Sequence, residues 1–227
     1  MPRNQAVKGV CTYCDQEVAK NAVTKHLSVC TQRREMLAKV EASSGKIEKL
    51  YHLRIQAAYL KDFWLDLEMR GSATLEDLDE YLRAIWLECC GHMSMFSPKG
   101  WGSDEIPKSR KIERVLSVGD KLVHIYDFGT ESETHISVTN VREGKATTKR
   151  PIALLVRNKQ PEVVCIECGK PAGWICQECQ IEDETSGLLC DDCAEDHPHD
   201  NYGEPMEICN SPRVGMCGYD GPAKPPY

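Results

Sequence analysis

Apolar and polar residues alternate over Tyr51-His52-Leu53-Arg54-Ile55-Gln56-Ala57, the period-two pattern of a strand with one buried face. Phe63-Trp64-Leu65-Asp66-Leu67-Glu68-Met69 repeats it. The period then changes. Leu75, Leu78, Leu82, Ile85 and Trp86 recur at helical spacing and share one face. Thr74 stands where an N-cap belongs, Glu76 and Asp77 suit the positive end of the helix dipole, and Gly91 marks the expected stop. Further strands are predicted at 121–128, 135–142 and 152–156. Strands gathered around one helix, rather than alternating with helices, predict an α+β domain with a mostly antiparallel sheet. No apolar run approaches the ~18 residues of a spanning helix, so no membrane is expected as a partner.

Outside this block the periodicity fades and cysteine takes over. The chain has 13 cysteines in 227 residues. Met1-Pro2-Arg3-Asn4-Gln5 shows no apolar signal segment, which predicts a cytoplasmic, reducing setting. There, many cysteines argue for metal rather than disulfides, and an odd count would leave one unpaired. Two candidate linkers, Glu41-Ala42-Ser43-Ser44-Gly45 and Asn158-Lys159-Gln160-Pro161, divide the chain. They predict an N-terminal finger with a following helix at 1–45, a central α+β domain at 46–160 and a metal module at 161–217. The Gly/Pro-rich residues 218–227 read as a disordered tail. Charge is divided in the same way. Residues 1–50 carry nine Lys/Arg against five Asp/Glu, 51–160 carry sixteen of each, and 161–227 carry three against fourteen. A basic N-terminal module points to DNA or RNA, and an acidic C-terminal one to protein.

Cys11-x2-Cys14-x11-His26-x3-Cys30 is a metal-site spacing. The first pair closes a turn, and His26 and Cys30 share one face of a helix. Four soft or borderline donors suit tetrahedral zinc and leave no position for a substrate. With only Val18, Val23 and Leu27 to build a core, the unit needs its ion to fold. The run from Cys11 to Cys30, with Val18, Val23 and the Lys25-His26 pair, resembles the LYAR-type Cys-Cys-His-Cys finger. That resemblance implies a nucleic-acid-binding protein. Lys20, Lys25, Arg33 and Arg34 are the residues that could meet phosphates.

The densest signal is Cys165-x2-Cys168-x7-Cys176-x2-Cys179-x10-Cys190-x2-Cys193-x3-His197-x-His199. Three CxxC pairs and two histidines supply eight ligands, enough for two tetrahedral zincs and about three in the whole chain. The segment resembles a B-box-like cross-brace finger. The resemblance implies that Cys165, Cys168, Cys190 and Cys193 share one ion, while Cys176, Cys179, His197 and His199 share another. A single residue between the two histidines strains joint chelation, so Cys209 or Cys217 could replace one of them. Otherwise those two cysteines are free, partly buried thiols, and Cys89-Cys90 reads as helix-end core plus one exposed thiol.

Residues 51–156 resemble the pRiA-plasmid ORF-three-like family, also labelled transposon-passenger TnpR-like. The resemblance rests on Thr74-Leu75-x-x-Leu78, the helix ending in Trp86, Tyr126-Asp127-Phe128-Gly129 and His135-Ile136. Thr130-Glu131-Ser132-Glu133-Thr134 stands where family members carry Asp-x-Trp, so a site built on those residues is not expected. The resemblance implies a mobile-element setting; the TnpR label is not evidence of resolvase activity, and no serine-recombinase active-site signature is visible. Three functions compete. The first is a non-enzymatic zinc protein binding nucleic acid, protein or both. The second is an enzyme with a pocket near Asp127 and His135, joined by His92, although the favoured reading of those two is Asp127 as a turn cap and His135 as a partly buried strand residue. The third is a purely structural zinc protein acting with an unknown partner.

Overall fold

The structure, a computed structural model, describes residues 6–227. The expectation about the first five residues therefore lies outside the described ones. The chain begins with a hairpin, β1 (Gly9–Cys11) and β2 (Glu17–Val18), then α1 (Val23–Val29) and α2 (Thr31–Glu41). Next come β3 (Glu48–Ala57), β4 (Trp64–Arg70), α3 (Leu75–Leu82), β5 (Ser94–Ser97), β6 (Lys121–Tyr126), β7 (Ser132–Gly144) and β8 (Ile152–Asn158). Among the described residues these eight strands form one sheet in the order β2-β1-β8-β4-β3-β7-β6-β5, every pairing antiparallel. With helices on the sheet, the fold class is α+β.

α3 covers one face of this sheet. Its N-terminus is a capping box: Thr74 Oγ1 accepts from the Asp77 N–H at 3.2 Å, and Asp77 Oδ2 accepts from the Thr74 N–H at 2.7 Å. Leu75, Leu78 and Leu82 pack onto Leu53, Ile55, Leu65, Leu67 and Met69. The regular helix stops at Leu82 and widens into a π-turn over Arg83–Leu87. The extra residue in that turn lets Ile85, Trp86 and Leu87 all be buried. Gly91, the expected stop, lies beyond the end of this turn. β5 carried no periodic signal, being only four residues long.

The other face of β4 shows why finger and sheet are continuous. Trp64, Asp66 and Glu68 alternate with Leu65 and Leu67 and are themselves buried. Trp64 packs with Cys11, Val18, Val23 and Leu27 of the finger. β1 pairs with β8, from Gly9↔Asn158 to Cys11↔Val156. The β4–β8 register shifts between Asp66 and Leu67, leaving Leu155 as the extra residue of a bulge. Leu155 and Val156 then both reach the finger core, and the Leu155 carbonyl accepts from the Thr12 N–H at 3.0 Å.

After the sheet come β9 (Trp174–Ile175), α4 (Gln177–Ile181), β10 (Leu188–Leu189), α5 (Asp191–Glu195) and β11 (Met206–Glu207), with a small sheet in the order β10-β9-β11. The closing residues pack back onto the body where a disordered tail was predicted. Tyr219 and Ala223 are buried, and the Tyr227 hydroxyl accepts from the Leu154 N–H at 3.2 Å. Tyr227 also stacks under Arg150, 5.6 Å from its ring centroid. These aromatic anchors outweigh the Pro-rich composition on which the tail reading rested.

Candidate metal centres

Among the described residues, four groups of Cys and His each bring four ligand atoms within 4.8 Å of one another. Tetrahedral zinc, with bonds of about 2.3 Å to sulfur and 2.0–2.1 Å to nitrogen, sets S···S edges near ~3.8 Å and S···N edges near ~3.6 Å. The sulfur–sulfur and sulfur–nitrogen contacts within the four groups run from 3.3 to 3.8 Å, apart from one of 2.9 Å in the fourth.

The first comprises Cys11, Cys14, His26 and Cys30. Cys11 ends β1, and its carbonyl accepts from the Asp15 N–H at 2.9 Å. Asp15 takes φ 57, a left-handed turn that brings Cys14 alongside. His26 lies on α1, and Cys30 is the extended residue at the break between α1 and α2. Cys14 Sγ and His26 Nε2 are 3.5 Å apart. Burial pushes the Cys11 thiol up to about 11.

The second comprises Cys165, Cys168, Cys190 and Cys193. Gly169, at φ 73, closes the first turn, and its N–H donates to the Cys165 carbonyl at 3.0 Å. Cys190 is the N-cap of α5, with Cys193 on its first turn. Cys168 Sγ lies 3.5 Å from Cys190 Sγ and 3.7 Å from Cys193 Sγ. Burial raises the Cys165 thiol, but backbone N–H groups of Cys168, Cys190 and Glu167 outweigh it and bring it to about 6.

Cys176, Cys179, His197 and His199 form the third group. Cys176 caps α4, and its sulfur accepts from the Cys179 N–H at 3.5 Å. The two histidines use different nitrogens. His197 Nε2 and His199 Nδ1 each lie 3.3 Å from Cys179 Sγ. Opposite ring atoms let residues only two apart converge, with the rings edge-on at 78°. The strain expected from their spacing is relieved in this way, and neither Cys209 nor Cys217 is in the group. His197 Nδ1 is left to donate to Glu167 Oε1 at 3.2 Å, and Glu167 lies in the turn of the second group. Burial, with the Cys176 thiol beside it, pushes Cys179 up to about 12.

Cys89, Cys90, His92 and Cys217 make the fourth group, which spacing did not reveal. Its only sequence signal is the compact Cys89-Cys90-Gly91-His92 string, because the last ligand is 125 residues beyond His92. Cys209 joins no group; its half-buried thiol is pushed up to about 11 by burial.

The proposed Asp127–His135–His92 pocket does not assemble as such. Asp127, at φ 65, caps its turn by accepting from the Gly129 and Thr130 N–H groups at 3.0 and 3.2 Å. Its Oδ2 accepts from Arg213 at 2.6 Å, and His92 Nε2 lies 3.5 Å away. Arg213 outweighs the burial of Asp127 and holds its carboxyl below the usual range. His135 was expected to be partly buried but is exposed, because Thr134 and Ile136 take the inward positions of β7. It pairs with Glu133 at 2.7 Å, in a hollow lined by Arg54, Lys121, Val123 and Ser137. Of the four cations considered for phosphates, Lys20 donates to Gln56 at 3.0 Å, and Arg33 pairs with Glu68 at 3.5 Å. Lys25 and Arg34 face solvent. No helix among the described residues is long and apolar enough to cross a membrane.

The sequence matches no family model and no curated protein. Among solved structures, a protein of unknown function, MM3350 from Methanosarcina mazei Go1, is similar at 18% identity. The similarity covers 55% of this chain and 77% of that one, with a TM-score of 0.43.

Proposed function

We propose that this chain is a zinc-stabilised, non-enzymatic binding protein. One observation carries the reading. In the finger and in both groups of the C-terminal module, the chain's own Cys and His supply four ligand atoms within 4.8 Å of one another, enough to fill every position of a tetrahedral ion. Such donor sets select zinc, and a closed site holds structure rather than activating water. The zinc would fix the turns that Cys11, Cys165, Cys176 and Cys190 begin. The mobile-element setting rests on the resemblance of residues 51–156 alone.

The finger reading assigns nucleic acid to the solvent-facing cations Lys25, Arg34 and Lys39 of α1 and α2. Three phosphate contacts give a log–log salt slope of about −2.7 on duplex DNA. Anisotropy titrations with random-sequence DNA and RNA across a salt series test this, and Lys25→Glu with Arg34→Glu should abolish binding. A second reading, protein binding by the acidic module, is favoured by exposed Val164, Ile166 and Ile181 amid its carboxylates. The absence of nucleic-acid binding at low salt would remove the first reading and leave the second.

A further inference from the structure

Cys89, Cys90, His92 and Cys217 belong to neither finger motif, yet their spacings have the dimensions of a metal site. Cys90 Sγ lies 3.7 Å from both Cys89 Sγ and Cys217 Sγ, and Cys217 Sγ lies 3.5 Å from His92 Nε2. These match the edges of a zinc tetrahedron; the Cys90 Sγ–His92 Nε2 edge, 2.9 Å, is shorter than the ~3.6 Å that a bound ion would set.

Both arms are held independently of any ion. On one side, the Tyr126 hydroxyl accepts from the Cys89 and His92 N–H groups, each at 3.4 Å. On the other, Ser211 Oγ donates to the Trp86 carbonyl at 2.6 Å. Arg213, with no exposed surface, reaches Asp127 Oδ2 at 2.6 Å, the Thr130 carbonyl at 2.8 Å and Ser132 Oγ at 2.9 Å. Its guanidinium lies 3.5 Å from Cys89 Sγ. Cys217 takes φ 51, a left-handed backbone that is costly for a side-chain-bearing residue. Three thiolates and one imidazole around a divalent ion leave a net charge of about −1, and Arg213 supplies the compensating cation beside it.

We propose that Cys89, Cys90, His92 and Cys217 bind a fourth zinc ion, which clasps the end of the α3 π-turn to the loop that follows the C-terminal metal module. The site is distinct from the three finger ions and shares with them only the choice of metal. Cys90 and Cys217 are exposed, so this ion exchanges with solvent more readily than the others.

The test is zinc stoichiometry of protein purified natively under reducing conditions, by native mass spectrometry, with stepwise removal by EDTA. Wild type should carry four zincs and release one equivalent ahead of the rest. Cys217→Ser and Cys90→Ser should each carry three and lack the early release, whereas Cys209→Ser should keep four. Should Cys217→Ser fail to fold, Cys90→Ser, at an exposed position, decides the matter. Three zincs in the wild type and the same three in both variants would overturn the proposal while leaving the three-zinc reading intact. A Cys90–Cys217 disulfide in that reduced preparation would overturn it too.

Discussion

Gly9 is fixed by what stands over it. A Cβ there would lie 2.5 Å from the Trp64 ring, 2.7 Å from the Arg157 carbonyl and 2.8 Å from Val156. The finger hairpin can join β8 only if this position has no side chain. Gly9→Ala should therefore cost about 1–3 kcal/mol, the usual price of overpacking a core. A lowered urea midpoint at unchanged zinc content checks this; an unchanged midpoint would mean that the hairpin is not docked as described. At this scale the finger donors were legible in the sequence because each CxxC turn is local, so identity and spacing sit together. Cys217 was not, because its partners are brought to it by Arg213 and Ser211, whose bonds span the fold. His135 was misjudged because strand alternation fixes a side chain's face only once its neighbours' faces are known.

α3 carries a buried polar knot beside its apolar face. Asp79 accepts from His124 at 2.7 Å, Ser94 at 2.7 Å, Lys108 at 2.9 Å and Arg83 at 2.8 Å. Burial alone would raise its carboxyl, but these donors hold it well below the usual 3.8. Burial lowers His124 below its usual 6.5. The signs agree. A His depressed in the folded state gives stability that is present above about 6.5 and declines as pH falls below it. A depressed Asp gives stability that is present above about 3.8 and lost on further acidification. Asp79→Asn should cost about 3–5 kcal/mol at neutral pH, since it leaves buried cations unpaired, and should flatten the fall below pH ~4. Urea unfolding of both proteins across pH checks it; parallel acid limbs would contradict it. The α3 cap and the long strands were readable from period and capping chemistry. β1, β2 and β5 were not, because two to four residues carry no period and their pairing depends on a distant strand.

For the molecule as a whole, charge and cysteine divide the sequence into three parts, while the sheet runs through two of them. Arg33–Glu68 and Lys20–Gln56 tie the basic finger to the central domain, and Arg157 reaches the Asn210 and Ala223 carbonyls in the segment after the last metal-site histidine. Metal loss should therefore loosen more than a local finger. The three finger-type sites each gather ligands in stretches of chain whose own strands are only two or three residues long. The most direct measurement is native mass spectrometry of the reduced, natively purified protein, paired with thiol counting after denaturation. At least three tightly held zincs and thirteen free thiols are the predicted result. A folded, metal-free chain with its CxxC cysteines in disulfides would contradict the account.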